Sequence, residues 1–504
     1  MSGDAPVGKR QKPAFAAADK KGSLWTRGRK GATTMQFFST RDRNRVVNAS
    51  QAIAQGLSDE GGLFVPQSFP KVDVASICAL DYPEMAAAIV GQYLTDYSQQ
   101  FLAEAAKTTY GEAFDGKAGY LAHVSDEVYS LELWHGPTCA FKDFGARFMA
   151  RVMSYFNRSE NDNLHILVAT SGDTGSAVGS AFHNVPGIDV TILYPDGKIS
   201  PLQEKQLSTF TGNVRALKVK GTFDDCQKLV KTAFTDKDLR SKFRLSSANS
   251  INISRLLPQS FYYMYSSLVV KKRIPFDSKN GGDAIIVVVP SGNFGNLTSG
   301  LIAREMGAPI TGFVAATNSN HTVPDWIASG EYKTRPSVPT LSNAMDVGAP
   351  SNYERIAAMY SLDQVRNLFA SYWTDDEGTI DGIKRCKNKT GYVIDPHGAV
   401  AWKAWNDIRG GEMEKLVNGQ KNDFTKPGLT PNVPFWAKAV VDKKASAIIL
   451  ETAHPAKFGA TVYKAIGQEP ALPERLEKVV SLPDNAIPMS KDYDSFKEWL
   501  VSNL

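Results

Sequence analysis

The chain has only four cysteines in 504 residues, Cys78, Cys139, Cys226 and Cys386. They lie far apart and form no Cys-x-x-Cys pair, which argues against a metal site or a disulfide framework and points to a reducing, intracellular setting. No run of 18 uninterrupted apolar residues occurs, so no membrane-spanning helix is expected. Internal repeats and low-complexity tracts are also missing. The net charge of +5 is misleading: residues 1–34 carry eight Lys or Arg against Asp4 and Asp19, and the remaining 470 residues come to −1. The basicity belongs to a tail without apolar periodicity, expected to be disordered, and gives no ground for nucleic-acid binding. The tail has no apolar segment of the secretory kind, and its acidic residues and few serines make a poor organelle address. A cytoplasmic location is the expectation, with organelle targeting left open.

With 42% hydrophobic and 22% charged residues, the chain has the make-up of a globular protein, and its length allows two or three packed domains. A unit recurs along it: a short apolar run rich in β-branched residues, a turn of Gly, Ser, Asn or Pro, then a helical pattern. The runs are "HILVAT" (His165–Thr170), "VTILYP" (Val190–Pro195), "VRALKVKG" (Val214–Gly221), "AIIVVVP" (Ala284–Pro290), "ITGFVAATN" (Ile310–Asn318) and "ASAIILET" (Ala445–Thr452). Continuous apolar strands alternating with helices predict an α/β fold, with parallel sheet covered by helices on both faces. Ligands in such folds bind beyond the carboxyl ends of the strands. Residues 35–120 differ and read as a smaller, mainly helical N-terminal domain. Residues 121–504 form the α/β region, and a Pro-, Ser-, Asn- and Asp-rich segment near 321–395 inserts into it or caps it.

Three stretches carry chemistry. The turn "PSGNFGN" (Pro290–Asn296) follows the strongest strand and opens a helix. Gly292 and Gly295 let the backbone curl so that N–H groups converge where the helix start adds positive potential, forming an anion seat. It has neither the Lys of a P-loop nor a full Gly-x-Gly-x-x-Gly. In "WHGPTCAFKDFGARF" (Trp134–Phe148), Lys142 sits among Ala140, Phe141, Phe144 and Phe148. Loss of hydration lowers the pKa of such an amine, and a neutral amine can form a Schiff base with an aldehyde cofactor. In "LETAHPAKFG" (Leu450–Gly459), the Thr452 hydroxyl is placed to meet a pyridine nitrogen without holding it protonated. Each stretch also has a plainer reading. The turn binds nothing; the Lys142 ammonium reaches water or pairs with Asp143; Thr452 caps a helix, and Glu451 is a rival for the ring. A lysine-free phosphate seat together with a candidate Schiff-base lysine favours pyridoxal phosphate, which needs both.

The successive motifs "HGPTCAFKDFGARF", "TSGDTGSA", "ANSINISRLLPQ", "VPSGNFGN", "MDVGAPSNYER", "DPHGAVAW" and "ETAHPAKF" resemble the signatures of threonine synthase. The opening "STRD…SQAIAQGLSDEGGLFVP" resembles that enzyme's N-terminal domain. The likeness runs in order from about Met35 to Lys457. It implies a fold-type II pyridoxal 5'-phosphate enzyme that converts O-phospho-L-homoserine and water to L-threonine and phosphate. Lys142 would then be the Schiff-base lysine and proton shuttle. Gly292, Asn293, Phe294, Gly295 and Asn296 would cradle the cofactor phosphate, and Thr452 would face the ring nitrogen. Ser171, Thr174 and Ser176 would take the substrate carboxylate, with Asp173 and Asn249 nearby in the substrate site; Arg147 and Arg255 are candidates for its phosphate. His135 and His397 read as buried histidines that hold loops, and Trp134 as core. Two alternatives remain on the sequence: a phospholyase-like relative that releases 2-oxobutyrate, and a protein that binds nucleotides at both glycine-rich turns. The latter lacks a clear acidic residue about 20 positions beyond such a turn. No metal is expected, and the oligomeric state is open.

Overall fold

The six apolar runs are all strands, but they divide between two sheets. Leu164–Ala169, Ile188–Pro195 and Val214–Val219 lie side by side in an all-parallel five-stranded sheet, with Arg244–Ser247 at one edge and Ile487–Met489 at the other. Ala284–Pro290, Gly312–Thr317 and Ala445–Glu451 form the centre of a seven-stranded sheet. Val128–Glu132 and Phe369–Trp373 extend it in parallel, and Tyr120–Ser125 and Gly428–Leu429 close its edges antiparallel. This computed structural model describes residues 34–125, 127–157, 163–273 and 284–504. All but Thr34 of the expected basic tail lies outside the described residues.

Every residue of Leu164–Ala169, Ala284–Pro290, Gly312–Thr317 and Ala445–Glu451 is buried. Helices cover both faces of these strands, so their sequences run apolar without alternation. Strands that sequence periodicity did not mark are short or carry polar residues, such as "VYSLE" (Val128–Glu132) and "RLSS" (Arg244–Ser247). The segment near 321–395 supplies one of them: Phe369–Trp373 pairs along its length with Phe313–Thr317, so that stretch is part of the sheet itself.

The N-terminal region holds the expected helices and also a small antiparallel sheet, in which Gln36–Ser39 lies between Val46–Asn48 and Phe64–Pro66. Strands of three or four residues are too short for a two-residue period to show. The helices carry clear start signals. Asp81 and Glu84 form a capping box before Tyr82–Val90, and Ser98 caps Gln99–Tyr110. Rings from this region, Tyr82, Tyr110 and Phe114, pack around Phe144. Tyr110 donates its hydroxyl hydrogen to the Phe144 carbonyl at 3.0 Å. Phe144 and Phe148, which follow Lys142 in sequence, are thus part of the surface on which the N-terminal region packs. No described helix is long and apolar enough to cross a membrane.

Close packing at the core of the larger sheet gives a direct test. The Trp436 indole lies over Gly312, fixed by donation from its Nε1 to the Leu368 carbonyl at 2.8 Å, and a Cβ on Gly312 would run into that ring. Gly312→Ala is expected to lower the unfolding free energy by about 1–3 kcal/mol, measured as a lower urea midpoint at unchanged slope.

Candidate active site

Main-chain hydrogen bonds place Lys142. The end of the strand Ala445–Glu451 is zipped to the loop before the lysine. Leu133 N donates to the Glu451 carbonyl at 3.0 Å, Phe141 N to that of Thr452 at 2.8 Å, and His454 N to that of Cys139 at 3.0 Å. Ala140 and Ala453 form a bridge between them. The loop turns sharply at Cys139, which takes φ 54°, and Lys142 begins the helix Lys142–Asn157. Asp143 is not the partner of Lys142. Its carboxylate is buried and accepts from Thr138 N at 2.8 Å and Thr138 Oγ1 at 2.9 Å, which fastens the loop instead.

Lys142 opens onto a cavity of about 120 Å³ between the carboxyl ends of the two sheets. Its Nζ stands 5.5 Å from the centre of the Phe141 ring. Burial lowers its pKa to about 8; Asp173 pulls the other way, while Arg255 and Lys457 add repulsion. The side chain still keeps a face open toward the cavity. A substantial neutral fraction near pH 8 is what a nucleophilic or proton-accepting amine needs.

The glycine turn lines the same cavity. A Cβ on Gly292 would stand 2.6 Å from the Met345 Cα, so only glycine lets the turn approach the 344–347 loop. Phe294 takes a left-handed φ of 60° and delivers the chain into the helix Gly295–Met306. Asn293 ties the turn to its surroundings by donating from Nδ2 to Ser250 Oγ at 2.6 Å. Asn296 Oδ1 accepts from the hydroxyls of Tyr262 at 2.6 Å and Tyr263 at 2.8 Å. Its buried Nδ2 is left with no partner among the described residues. A partner-free donor at a helix start, beside a glycine that cannot be replaced, fits a phosphate.

Thr452 also lines the cavity, and Glu451 does not. Neighbouring residues at a strand end point to opposite faces. Glu451 therefore turns toward the helix Pro396–Asp407, where its Oε1 accepts from Asp395 N at 2.7 Å and burial pushes its carboxyl well above the usual range. Thr452 is not a helix cap either: the following turn, Pro455–Phe458, is capped by His454.

Of the residues expected at the substrate, Ser171, Thr174, Asn249 and Arg255 line the cavity. Asn249 Nδ2 donates to the Ala169 carbonyl at 3.1 Å. Arg255 is buried and donates from Nη1 to the Ala248 carbonyl at 2.6 Å, while its Nε has no partner among the described residues. Burial lowers its pKa to about 10, so it remains a cation at neutral pH. Three expectations are corrected. Arg147 lines a separate cavity with Arg151 and His183; five residues along a helix from Lys142 is a rotation of about 140°. Ser176 turns inward and donates to the Asp173 carbonyl at 3.1 Å. Asp173 does not line the cavity; its carboxylate is paired with Lys457 at 2.7 Å.

Sequence reading picked out two supporting histidines and missed several other lining or supporting groups. His397 does hold a loop: its Nε2 accepts from Ala344 N at 3.2 Å and its Nδ1 bonds Asp395 Oδ2 at 2.7 Å, which steadies the residues packed on Gly292. His135 bonds Glu132 at 2.7 Å. Thr170 Oγ1 accepts from Gly172 N and Gly175 N, both at 2.9 Å, and so caps the helix Asp173–Phe182. Ser250, Gln227, Gln259 and Phe223 complete the wall. No local pattern distinguishes them, because loops distant in sequence bring them together.

A strand-to-helix phosphate turn and a desolvated lysine, meeting between two helix-covered parallel sheets, define a pyridoxal-phosphate-dependent enzyme of fold type II. The family model described as pyridoxal-phosphate dependent enzyme matches residues 118–417. Models of the threonine synthase N terminus and C-terminal region match residues 36–110 and 436–500. The threonine synthase of Haemophilus influenzae is 38% identical over 472 residues, covering 93% of this chain and all of that protein. The crystal structure of the Escherichia coli threonine synthase superposes with a TM-score of 0.77 at 35% identity, over 93% of this chain and 100% of the other. A pyridoxal-phosphate-bound threonine synthase from Brucella melitensis gives 0.78 at 30% identity, over 93% and 99%. The chain belongs to the threonine synthase family.

Two outcomes are expected. Gly292→Ala forces the turn off Met345 by overpacking of about 1–3 kcal/mol, so cofactor affinity measured by equilibrium dialysis falls about tenfold or more. In cofactor-free protein, acylation of Lys142 followed by mass spectrometry rises with pH to a midpoint near 8, below that of the exposed lysines.

Proposed function

We propose that this chain converts O-phospho-L-homoserine and water to L-threonine and phosphate, with the residues of the Lys142 cavity dividing the work as follows. Pyridoxal phosphate, when bound, supplies an electron sink for charge that develops beside the amino-bearing carbon of the substrate. Gly292, Asn293, Phe294, Gly295 and Asn296 hold its phosphate through main-chain N–H groups and the free Asn296 amide. Thr452 offers a hydroxyl to the ring nitrogen. Glu451, facing the other side, is kept from adding a carboxylate there.

Lys142 would be the cofactor's attachment point, and its free amine the proton carrier. It takes the proton from Cα. It passes that proton to the substrate phosphate and takes a second from Cβ as the C–O bond at Cγ breaks and phosphate departs with the electron pair. Lys142 returns the Cβ proton to Cγ; water then adds its oxygen at Cβ and gives a proton to Lys142, which delivers it to Cα. One tethered amine serves three adjacent carbons because its stem reaches each without a new encounter. Arg255, cationic and partly unpartnered, is suited to the leaving phosphate. Ser171, Thr174 and Asn249 offer hydroxyl and amide groups to the substrate carboxylate.

The observation that carries this reading is a lysine with a lowered pKa and a partner-free phosphate cradle lining one cavity, on a chain of this family. Lys142→Ala is expected to abolish threonine formation while the protein remains folded by circular dichroism. Retained threonine formation would overturn the assignment. Mass spectrometry of the wild-type product is expected to show threonine; 2-oxobutyrate in its place would mean that elimination stops before water is added.

A further inference from the structure

Asp173 and Lys457 form an enclosed ion pair that the steps above do not use. Nζ and Oδ1 are 2.7 Å apart, and the side chains are 0% and 3% exposed. Lys457 Nζ also donates to the Thr138 carbonyl at 3.0 Å, and Asp173 Oδ1 accepts from Gln203 Nε2 at 3.0 Å. Thr138 is the residue fastened by Asp143, the neighbour of Lys142. Thr174, beside Asp173, lines the cavity with Lys142. The pair thus joins the helix Asp173–Phe182 to the turn after Ala445–Glu451, behind the reactive lysine. Stability alone is a poor reason for it, since desolvating two charges costs about as much as their attraction returns.

Resting on the reading of Lys142 as the reactive amine, we propose that Lys457 is a positioning residue: by pairing with Asp173 and holding the Thr138 loop, it keeps that buried carboxylate from claiming the Lys142 amine as its counter-ion. The charged groups acting on Lys142 are Asp173, which favours its proton, and Arg255 and Lys457, which oppose it. Asp143 is turned to Thr138, and His397 lines the cavity from the helix Pro396–Asp407. Burial pushes the Asp173 carboxyl up, but Lys457 and Lys142 together hold it well below the usual carboxylate range. Without the Lys457 cation, Lys142 is the cation left to act on an ionised, buried Asp173.

The test compares Lys457→Met, Asp173→Asn, the double variant and Lys457→Arg with the parent. Two midpoints are read: the acid limb of kcat in the loaded enzyme, which reports groups in the substrate complex, and Lys142 acylation by mass spectrometry after the cofactor is removed from the full chain. Lys457→Met is expected to raise both by about one pH unit or more, and Asp173→Asn to lower both. The double variant, with neither charge, and Lys457→Arg should stay close to the parent. Single variants that shift the midpoints in the same direction, or not at all, would overturn the proposal. If Lys457→Met does not fold, Asp173→Asn and the double variant still decide it by the same two midpoints. Failure of the underlying reading is separate, since it would appear as threonine formation by Lys142→Ala.

Discussion

The hydrogen-bonded seam between residues 133–141 and 451–454 is the constraint on which the site depends. It is made of backbone groups, so its geometry is set by the chain path rather than by flexible side chains. On one side it ends in Lys142 and on the other in Thr452, and it places these two residues, over 300 positions apart in the chain, in one cavity. Asp143 and Thr138 lock the loop side. The strand side is fixed by the parallel pairing of Ala445–Glu451 with its neighbours Ala284–Pro290 and Val128–Glu132. The same pairing aligns the end of Ala284–Pro290, and so the glycine turn that follows it, with the end of the strand that carries Thr452.

Charge in this cavity is arranged by contrast. Near Lys142 one anion, Asp173, stands against two cations, Arg255 and Lys457, and burial is the main influence that lowers the pKa of the amine to about 8. At the glycine turn and at Arg255 the donors are left partly unpartnered, which is costly unless an anion completes them. The first arrangement suits a group that must gain and lose protons, and the second suits groups that must hold phosphate. The N-terminal region takes part only indirectly: it packs aromatic rings on Phe144 and keeps the first turn of the Lys142 helix dry from outside.

The strands most easily seen in the sequence are those buried on both faces, where continuous burial writes itself as an unbroken apolar run. Lys142, the glycine turn and Thr452 were legible for a related reason: each lies at a strand end or helix start, where a few adjacent residues fix the local geometry. Arg147 and Ser176 were misjudged because being close to Lys142 or Thr174 in sequence does not fix the face of a helix that meets the cavity.

The sequence by itself determined the class of fold and the family likeness and singled out Lys142 and the glycine turn, because each is encoded within short runs of consecutive residues. Only the tertiary structure decided that the six strands belong to two sheets, that Glu451 faces away while Thr452 faces in, and that Asp173 is bound to Lys457. Those outcomes depend on which distant segments become neighbours, and a local pattern of hydrophobicity or charge carries no record of its partner across the fold.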